Sequence, residues 1–109
     1  MIDIYSIVLL IWIHFFADFI CQTDYMAINK SKKNLILLVH VLVYCIPFLI
    51  FGLKFALINA VLHFITDWFT SRITSYLWKK EQRHWFFVVI GLDQAIHMTC
   101  LFLTYFYFK

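Results

Sequence analysis

Three pairs of histidine and aspartate, each with a four-residue spacing, are the residues of this chain best suited to chemistry. They read H14-F-F-A-D18, H63-F-I-T-D67 and, in reverse order, D93-Q-A-I-H97. Residues four apart share one face of a helix, so each pair presents an imidazole and a carboxylate to a common point. With five His and five Asp in the chain, chance would give roughly half of one such pair at this spacing. The excess predicts a shared polar centre.

The chemistry that these side chains favour is metal coordination. Imidazole and carboxylate groups are ordinary ligands of zinc, iron and manganese, and helical bundles hold such ions with inward His and carboxylate residues. We expect a divalent metal ion, zinc first, with iron or manganese as alternatives. Two metals, or one metal with a large outer shell, would both suit the set. The predicted ligands are the six paired residues His14, Asp18, His63, Asp67, Asp93 and His97.

Further polar residues surround these pairs. His40 is expected to be an additional ligand or the general base, since imidazole titrates near neutrality. Arg72 is expected to pair with Asp67 or to bind an anionic substrate group. Lys30 has similar chemistry, but we expect it to anchor a helix end among lipid headgroups; His84 is given no site role. The expected outer-shell residues are Gln22, Tyr44, Asn59, Ser71 and Gln94.

Other roles for the polar set stay open. Mutually satisfied His–Asp contacts can hold helices together without a metal. Intramembrane His and Asp residues also form proton or ion relays. Haem held by His pairs is disfavoured, because each His has its own Asp and no small residues clear a pocket for the macrocycle.

The elements that position these residues are predicted to be membrane-spanning helices. Of 109 residues, 64% are hydrophobic and 14% charged, whereas soluble domains are near half apolar and a quarter charged. A spanning helix needs about 20 apolar residues, so this length allows one domain, residues 1–109. The sequence predicts an all-α membrane protein with four transmembrane helices in an antiparallel bundle. The predicted spans are residues 4–21, 35–51, 55–77 and 85–108.

The distribution of cations predicts the orientation. Only Lys54 and Lys109 lie on one side of the predicted bundle. Basic loops face the cytoplasm, so both termini are expected on the non-cytoplasmic side. Trp78 and Trp85 bracket the third loop, as interface anchors do. The other side, predicted to be cytoplasmic, carries Lys30, Lys32, Lys33, Arg72, Lys79, Lys80 and Arg83.

Several of these motifs together resemble a known family. They are H14-F-F-A-D-F19 followed by Q22-T, M26-A, K30 and H40, then H63-F-x-x-D67 with S71-R72, and D93-Q-x-x-H97. Over nearly the whole chain the pattern resembles small bacterial and phage membrane proteins catalogued as domain of unknown function 3307. The resemblance implies a multi-pass protein of the bacterial inner (cytoplasmic) membrane and brings no established activity. More loosely, the layout is similar to predicted membrane-bound metal-dependent hydrolases, whose glycine-rich and histidine-arginine signatures this chain lacks.

Three functions are compatible with these residues. The leading hypothesis is a membrane-embedded metal-dependent hydrolase that acts on a lipid-linked phosphate or ester from the cytoplasmic leaflet. The second is a small metal-ion or proton transporter, expected to be a homo-oligomer. The third is a non-catalytic interaction protein that modulates a phage or host membrane complex and has a structural polar core. Membrane lipids are the expected partners; nucleic acid is not, because topology explains the short basic loops.

Overall fold

The computed structural model describes residues 3–108, and within them the chain is helical and contains no strand. Helix α1 continues as a π-helical turn (Phe16–Ile20), and α3 continues as a 3-10 segment (Ile46–Phe51). The predicted all-α fold is therefore confirmed for these residues, and the first polar loop contains a short helix of its own. The helices are α1 (Ile4–Phe15), α2 (Asp24–Asn29), α3 (Asn34–Cys45), α4 (Leu53–Lys79) and α5 (Arg83–Phe108).

Side-chain caps and one turn define where the helices begin and end. Asp3 Oδ1 accepts a hydrogen bond from the backbone N–H of Ser6 at 2.8 Å and begins α1. Thr23 Oγ1 begins α2 by accepting from the N–H of Met26 at 3.2 Å. Each cap satisfies a backbone donor that the first helical turn leaves free. Glu81 adopts a left-handed conformation (φ 59°) after α4, which stops that helix before α5.

Two helices change their winding for local reasons. Pro47 lies at the start of the 3-10 segment, where its missing N–H and its ring are incompatible with a continued α-helix. Gly52 then adopts φ 110°, a conformation that favours glycine, and leads into α4. The π turn after α1 contains Asp18. Such single turns are frequent at functional sites, and this one alters the direction of Asp18 relative to His14.

The site lies between helices that pack around α4. Helix α4 contacts α3 and α5, α1 contacts α5, and the π turn and α2 both contact α3. An aromatic layer adjoins the polar centre, with ring centroids 5.0–6.2 Å apart. Because these rings are large and rigid, they hold the surrounding helices at fixed separations. The layer consists of Tyr44, Phe48, Phe51, Phe55 and Tyr105.

Two helical segments are long and apolar enough to cross a membrane, namely Asn34–Phe51 and Arg83–Phe108. The segment Ile4–Ile20 is apolar and shorter. Helix α4 has 27 residues, but it carries His63, Asp67 and Arg72 along its length. Crossing by all four long segments, and their orientation, stay predictions.

Candidate metal centre

The centre of the molecule is polar and buried. All six predicted ligands and His40 are buried, with 1–8% of each residue exposed. They come from α1 and its π turn, α3, α4 and α5. The structure therefore brings together the His and Asp residues of separate helices.

Four donor atoms converge on one point. His40 Nε2 lies 3.1 Å from Asp18 Oδ1 and 3.3 Å from Asp67 Oδ2. His63 Nε2 lies 3.5 Å and 3.1 Å from the same two oxygens. The two Nε2 atoms are 3.1 Å apart. These four residues thus form a group able to hold a metal ion.

The separations fit a tetrahedral metal site. Zinc binds nitrogen and oxygen ligands at about 2.0–2.2 Å, which places the ligand atoms about 3.3–3.6 Å from one another at the corners of a tetrahedron. The observed separations of 3.1–3.5 Å fall at or just below that range. Two imidazole nitrogens that face each other beside two carboxylate oxygens also require a cation or a shared proton between them. The donor set therefore fits a divalent ion.

A second group of donors uses the oxygens on the other side. His97 Nε2 lies 3.0 Å from Asp67 Oδ1 and 3.2 Å from Asp93 Oδ2. Donor atoms of Asp18, Asp93 and His97 lie within 4.8 Å of one another. The His97 ring stacks on that of His63, with centroids 3.9 Å apart. The two groups are therefore adjacent: both include Asp18, and Asp67 of the first group contacts His97 of the second.

His14 orients its neighbours and belongs to neither group. Gln94 Nε2 donates to Asp18 Oδ2 and Asp93 Oδ2, so the Gln94 Oε1 atom, 2.6 Å from His14 Nε2, is the acceptor there. A neutral His14 then accepts from the Tyr44 hydroxyl at Nδ1, over 2.8 Å. Both ring nitrogens of His14 therefore have hydrogen-bond partners. His40, which was expected as an additional ligand or general base, instead belongs to the four-atom group through its Nε2 atom.

Among the cations of residues 3–108, Lys30 contacts this centre and Arg72 does not. Lys30 Nζ lies 3.1 Å from Asp67 Oδ2. Arg72 instead lies over the Trp68 ring and donates to Asn34 Oδ1. The considered pairing of Arg72 with Asp67 does not form, because five residues separate them and place their side chains about 140° apart around the helix. Lys30, at the C-terminal end of α2, therefore contacts the centre, where it was expected only among lipid headgroups.

The remaining predicted outer-shell residues divide into two kinds. Asn59 donates to Thr104 Oγ1 at 2.8 Å, which is a contact between α4 and α5 away from the donor groups. Gln22 Oε1 and Ser71 Oγ are buried and have no hydrogen-bond partner within residues 3–108. Thr70 was missed; its hydroxyl donates to Asp93 Oδ1 at 2.6 Å. Its spacing of three residues from Asp67 on α4 was the available signal.

An open cleft of about 740 Å³ adjoins this centre on the side of Asp93 and Lys30. Asp93, a member of the second group, and Lys30 line the cleft. Ser71 and Gln22, whose buried oxygens have no partner in the described part of the chain, line it as well. Its remaining walls combine cations and hydroxyls with apolar side chains. They include Lys32, Arg72, Lys79, Ser31, Thr74, Ser75, Ile28, Trp78, Phe86 and Ile90.

Comparison with known proteins gives one finding at the level of the family. No curated protein and no solved structure matches the chain. The family described as "Protein of unknown function (DUF3307)" matches residues 6–109, which include every residue of both donor groups. The chain belongs to the DUF3307 family.

Proposed function

We propose that this protein is a membrane-embedded, metal-dependent hydrolase that acts on a lipid-linked phosphate or ester from the cytoplasmic leaflet. The observation that carries the proposal is the four-atom group of His40, His63, Asp18 and Asp67 beside a cleft that combines cations with apolar walls. Buried ligands bind the metal, the cations attract an anionic group, and the apolar walls suit a lipid chain.

The distribution of polar and apolar residues supports a membrane location. Four histidines and three aspartates occupy the interior, while the outer surfaces of the helices expose large apolar side chains such as Leu9, Trp12, Leu42, Phe69 and Leu103. Soluble proteins rarely expose such continuous apolar surface. The longest dimension, 44 Å, agrees with a bilayer of about 40–45 Å including its headgroups. We infer four spans in the bacterial inner membrane.

The proposed orientation places the cleft at the cytoplasmic leaflet. Lys30, Lys32, Arg72 and Lys79 line the cleft, and they belong to the basic side of the predicted topology. The positive-inside rule assigns that side to the cytoplasm. A lipid of the inner leaflet would then enter with its headgroup toward the cations.

The residues of the chain have separate tasks in the proposed reaction. His40, His63, Asp18 and Asp67 would hold the metal, which supplies positive charge that acidifies a water molecule and neutralises the charge developing during hydrolysis. Lys30 would bind the anionic group of the substrate beside the metal. Ser71 offers a buried hydroxyl without a partner in the described residues, available to a substrate oxygen. Apolar cleft walls would exclude water from the bound lipid.

Turnover of defined lipids by the purified protein tests the proposal. The full chain is reconstituted in vesicles that contain a lipid phosphate monoester, a phosphodiester or a carboxylic ester. We expect hydrolysis of at least one class, its loss after chelation and its recovery with a divalent metal. His63→Ala should abolish it, whereas the exposed residue His84 supplies the control variant His84→Ala.

Other outcomes would overturn the proposal. Bound metal without turnover, together with ion flux across the vesicle membrane, would favour the transporter. Protein that purifies and folds without metal, and binds none when it is supplied, would favour a purely structural His–Asp core.

A further inference from the structure

We propose that the centre is binuclear, with a second metal position that shares Asp18 and Asp67 with the first. This inference rests on the proposed function and identifies the substrate class as a phosphoric ester. The second position is assigned to Asp93 Oδ2 and His97 Nε2 together with the other oxygens of the two shared aspartates.

Asp67 directs its two oxygens to different sides. Oδ2 lies 3.3 Å from His40 Nε2 and 3.1 Å from His63 Nε2. Oδ1 lies 3.0 Å from His97 Nε2. A carboxylate that faces imidazoles on both sides has the geometry of a bridge between two cation positions.

Asp18 repeats this division from the π turn. Its Oδ1 faces His40 Nε2 and His63 Nε2 at 3.1 Å and 3.5 Å. Its Oδ2 accepts from Gln94 Nε2 at 3.3 Å, and the same amide donates to Asp93 Oδ2 at 3.1 Å. The amide of Gln94 thus joins the two carboxylate oxygens assigned to the second position. A cation there would take the place of one of these contacts, and Gln94 would remain an orienting residue.

The charges within the centre explain why two cations would bind in the presence of an anion. The centre contains three buried carboxylates, those of Asp18, Asp67 and Asp93, and the ammonium group of Lys30 contacts the second of them. One divalent ion together with Lys30 makes this set neutral, whereas a second divalent ion leaves a charge of about plus two. A phosphate dianion would neutralise that excess. We therefore expect the second metal and a phosphate group to strengthen each other's binding.

This coupling favours a phosphoric ester over a carboxylic ester. Pairs of metals are frequent in phosphatases and nucleases, where they stabilise both the attacking and the leaving oxygen. The cations along the cleft, Lys30, Lys32 and Lys79, agree with a phosphate-bearing headgroup. The reaction is the addition of water across the P–O bond, in which the phosphoryl group gains the hydroxyl and the leaving oxygen gains the proton.

Metal titration of the chelator-treated full chain in detergent tests the inference. We expect about two Mn²⁺ ions per chain, the second binding more tightly when inorganic phosphate is present, with an electron paramagnetic resonance signal altered by coupling between the ions. Asp93→Asn should retain about one ion and lose the coupled signal. Asp24, exposed on α2, provides the matched control variant Asp24→Asn, which should behave like the native chain.

The possible failures are distinguishable. One ion per native chain, with and without phosphate, together with metal-dependent turnover, would refute the second position and leave the proposed function standing. No ion at all would refute both. Two bound ions whose electron paramagnetic resonance signal equals the sum of two isolated ions would show separate sites and contradict the shared aspartates. This result comes from the native chain, so it holds even if Asp93→Asn fails to fold.

Discussion

Replacing Asp67 by asparagine distinguishes between two interpretations of the polar centre, a metal site and a structural His–Asp network. Asp67 is 1% exposed and contacts His40, His63, His97 and Lys30 at 3.0–3.3 Å. Asparagine keeps the shape of the side chain and removes its charge. If a metal holds these groups, the effect of Asp67→Asn on the free energy of unfolding must depend on whether metal is present.

The magnitude follows from the expected loss of metal affinity. Metal at a thousand times its dissociation constant stabilises the folded state by about 4 kcal/mol. Loss of one anionic ligand of four is expected to weaken binding at least about 100-fold, as even outer-shell changes cost 10–100-fold. At the same metal concentration, Asp67→Asn therefore removes about 2.7 kcal/mol of stabilisation. After chelation this stabilisation is absent from both proteins. Removing the charge of Asp67 then relieves its repulsion with the nearby carboxylate of Asp18, which we expect to offset the contacts that are lost.

The assay is chemical unfolding of native and variant protein in detergent, with metal and with chelator. Asp24→Asn, at an exposed position, controls for a change of carboxylate to amide outside the centre and should change neither curve. A purely structural network gives a different result, because removing one partner of a buried charge pair costs about 3–5 kcal/mol in both conditions. Equal destabilisation by Asp67→Asn with and without metal would refute the metal reasoning.

Four further predictions concern individual residues and the orientation of the chain. Lys30→Gln should lower kcat/KM for a lipid phosphate about 100-fold. Arg72→Gln should lower it less, because Lys30 contacts the centre and Arg72 contacts Asn34 instead. Steady-state kinetics on vesicles compares the two variants, and a larger effect of Arg72→Gln would argue against the assignment. Tyr44→Phe leaves His14 Nδ1 without its hydroxyl partner and should destabilise the fold by about 1–3 kcal/mol, measured as a shift of the unfolding midpoint. Glu81→Gly relieves a left-handed conformation (φ 59°) and should stabilise by about 1 kcal/mol in the same assay; a loss of stability would contradict this. We predict a non-cytoplasmic C-terminus. Alkaline phosphatase fused to the C-terminus should therefore be active, and a fluorescent protein fused there should be dark. The reverse pattern would overturn the predicted orientation.

The sequence alone predicts the four long helical segments and the buried His and Asp residues of the polar centre. Helices α4 and α5 extend the predicted spans by only a few residues at their ends, because apolar runs and local backbone hydrogen bonding determine helix formation. The four-residue spacing of His63 and Asp67 also survives folding, with 3.1 Å between Nε2 and Oδ2. Such pairs lie on one continuous helix, so their proximity depends little on tertiary packing.

Only the tertiary structure decided which side chains share a donor group. The π turn directs Asp18 toward His40 and His63, while His14 is engaged by Tyr44 and Gln94. Sequence spacing had paired His14 with Asp18, yet their nearest nitrogen and oxygen are 3.8 Å apart.

The choice of cation depended on tertiary structure as well. Arg72 is nearer to Asp67 along the chain, but it lies on another face of α4, and α2 brings Lys30 across from a different segment. Residue types and helical periodicity are local properties that can be read along the chain. The direction of a side chain toward another helix depends on how the helices pack, and that packing arises only when residues distant in sequence come into contact.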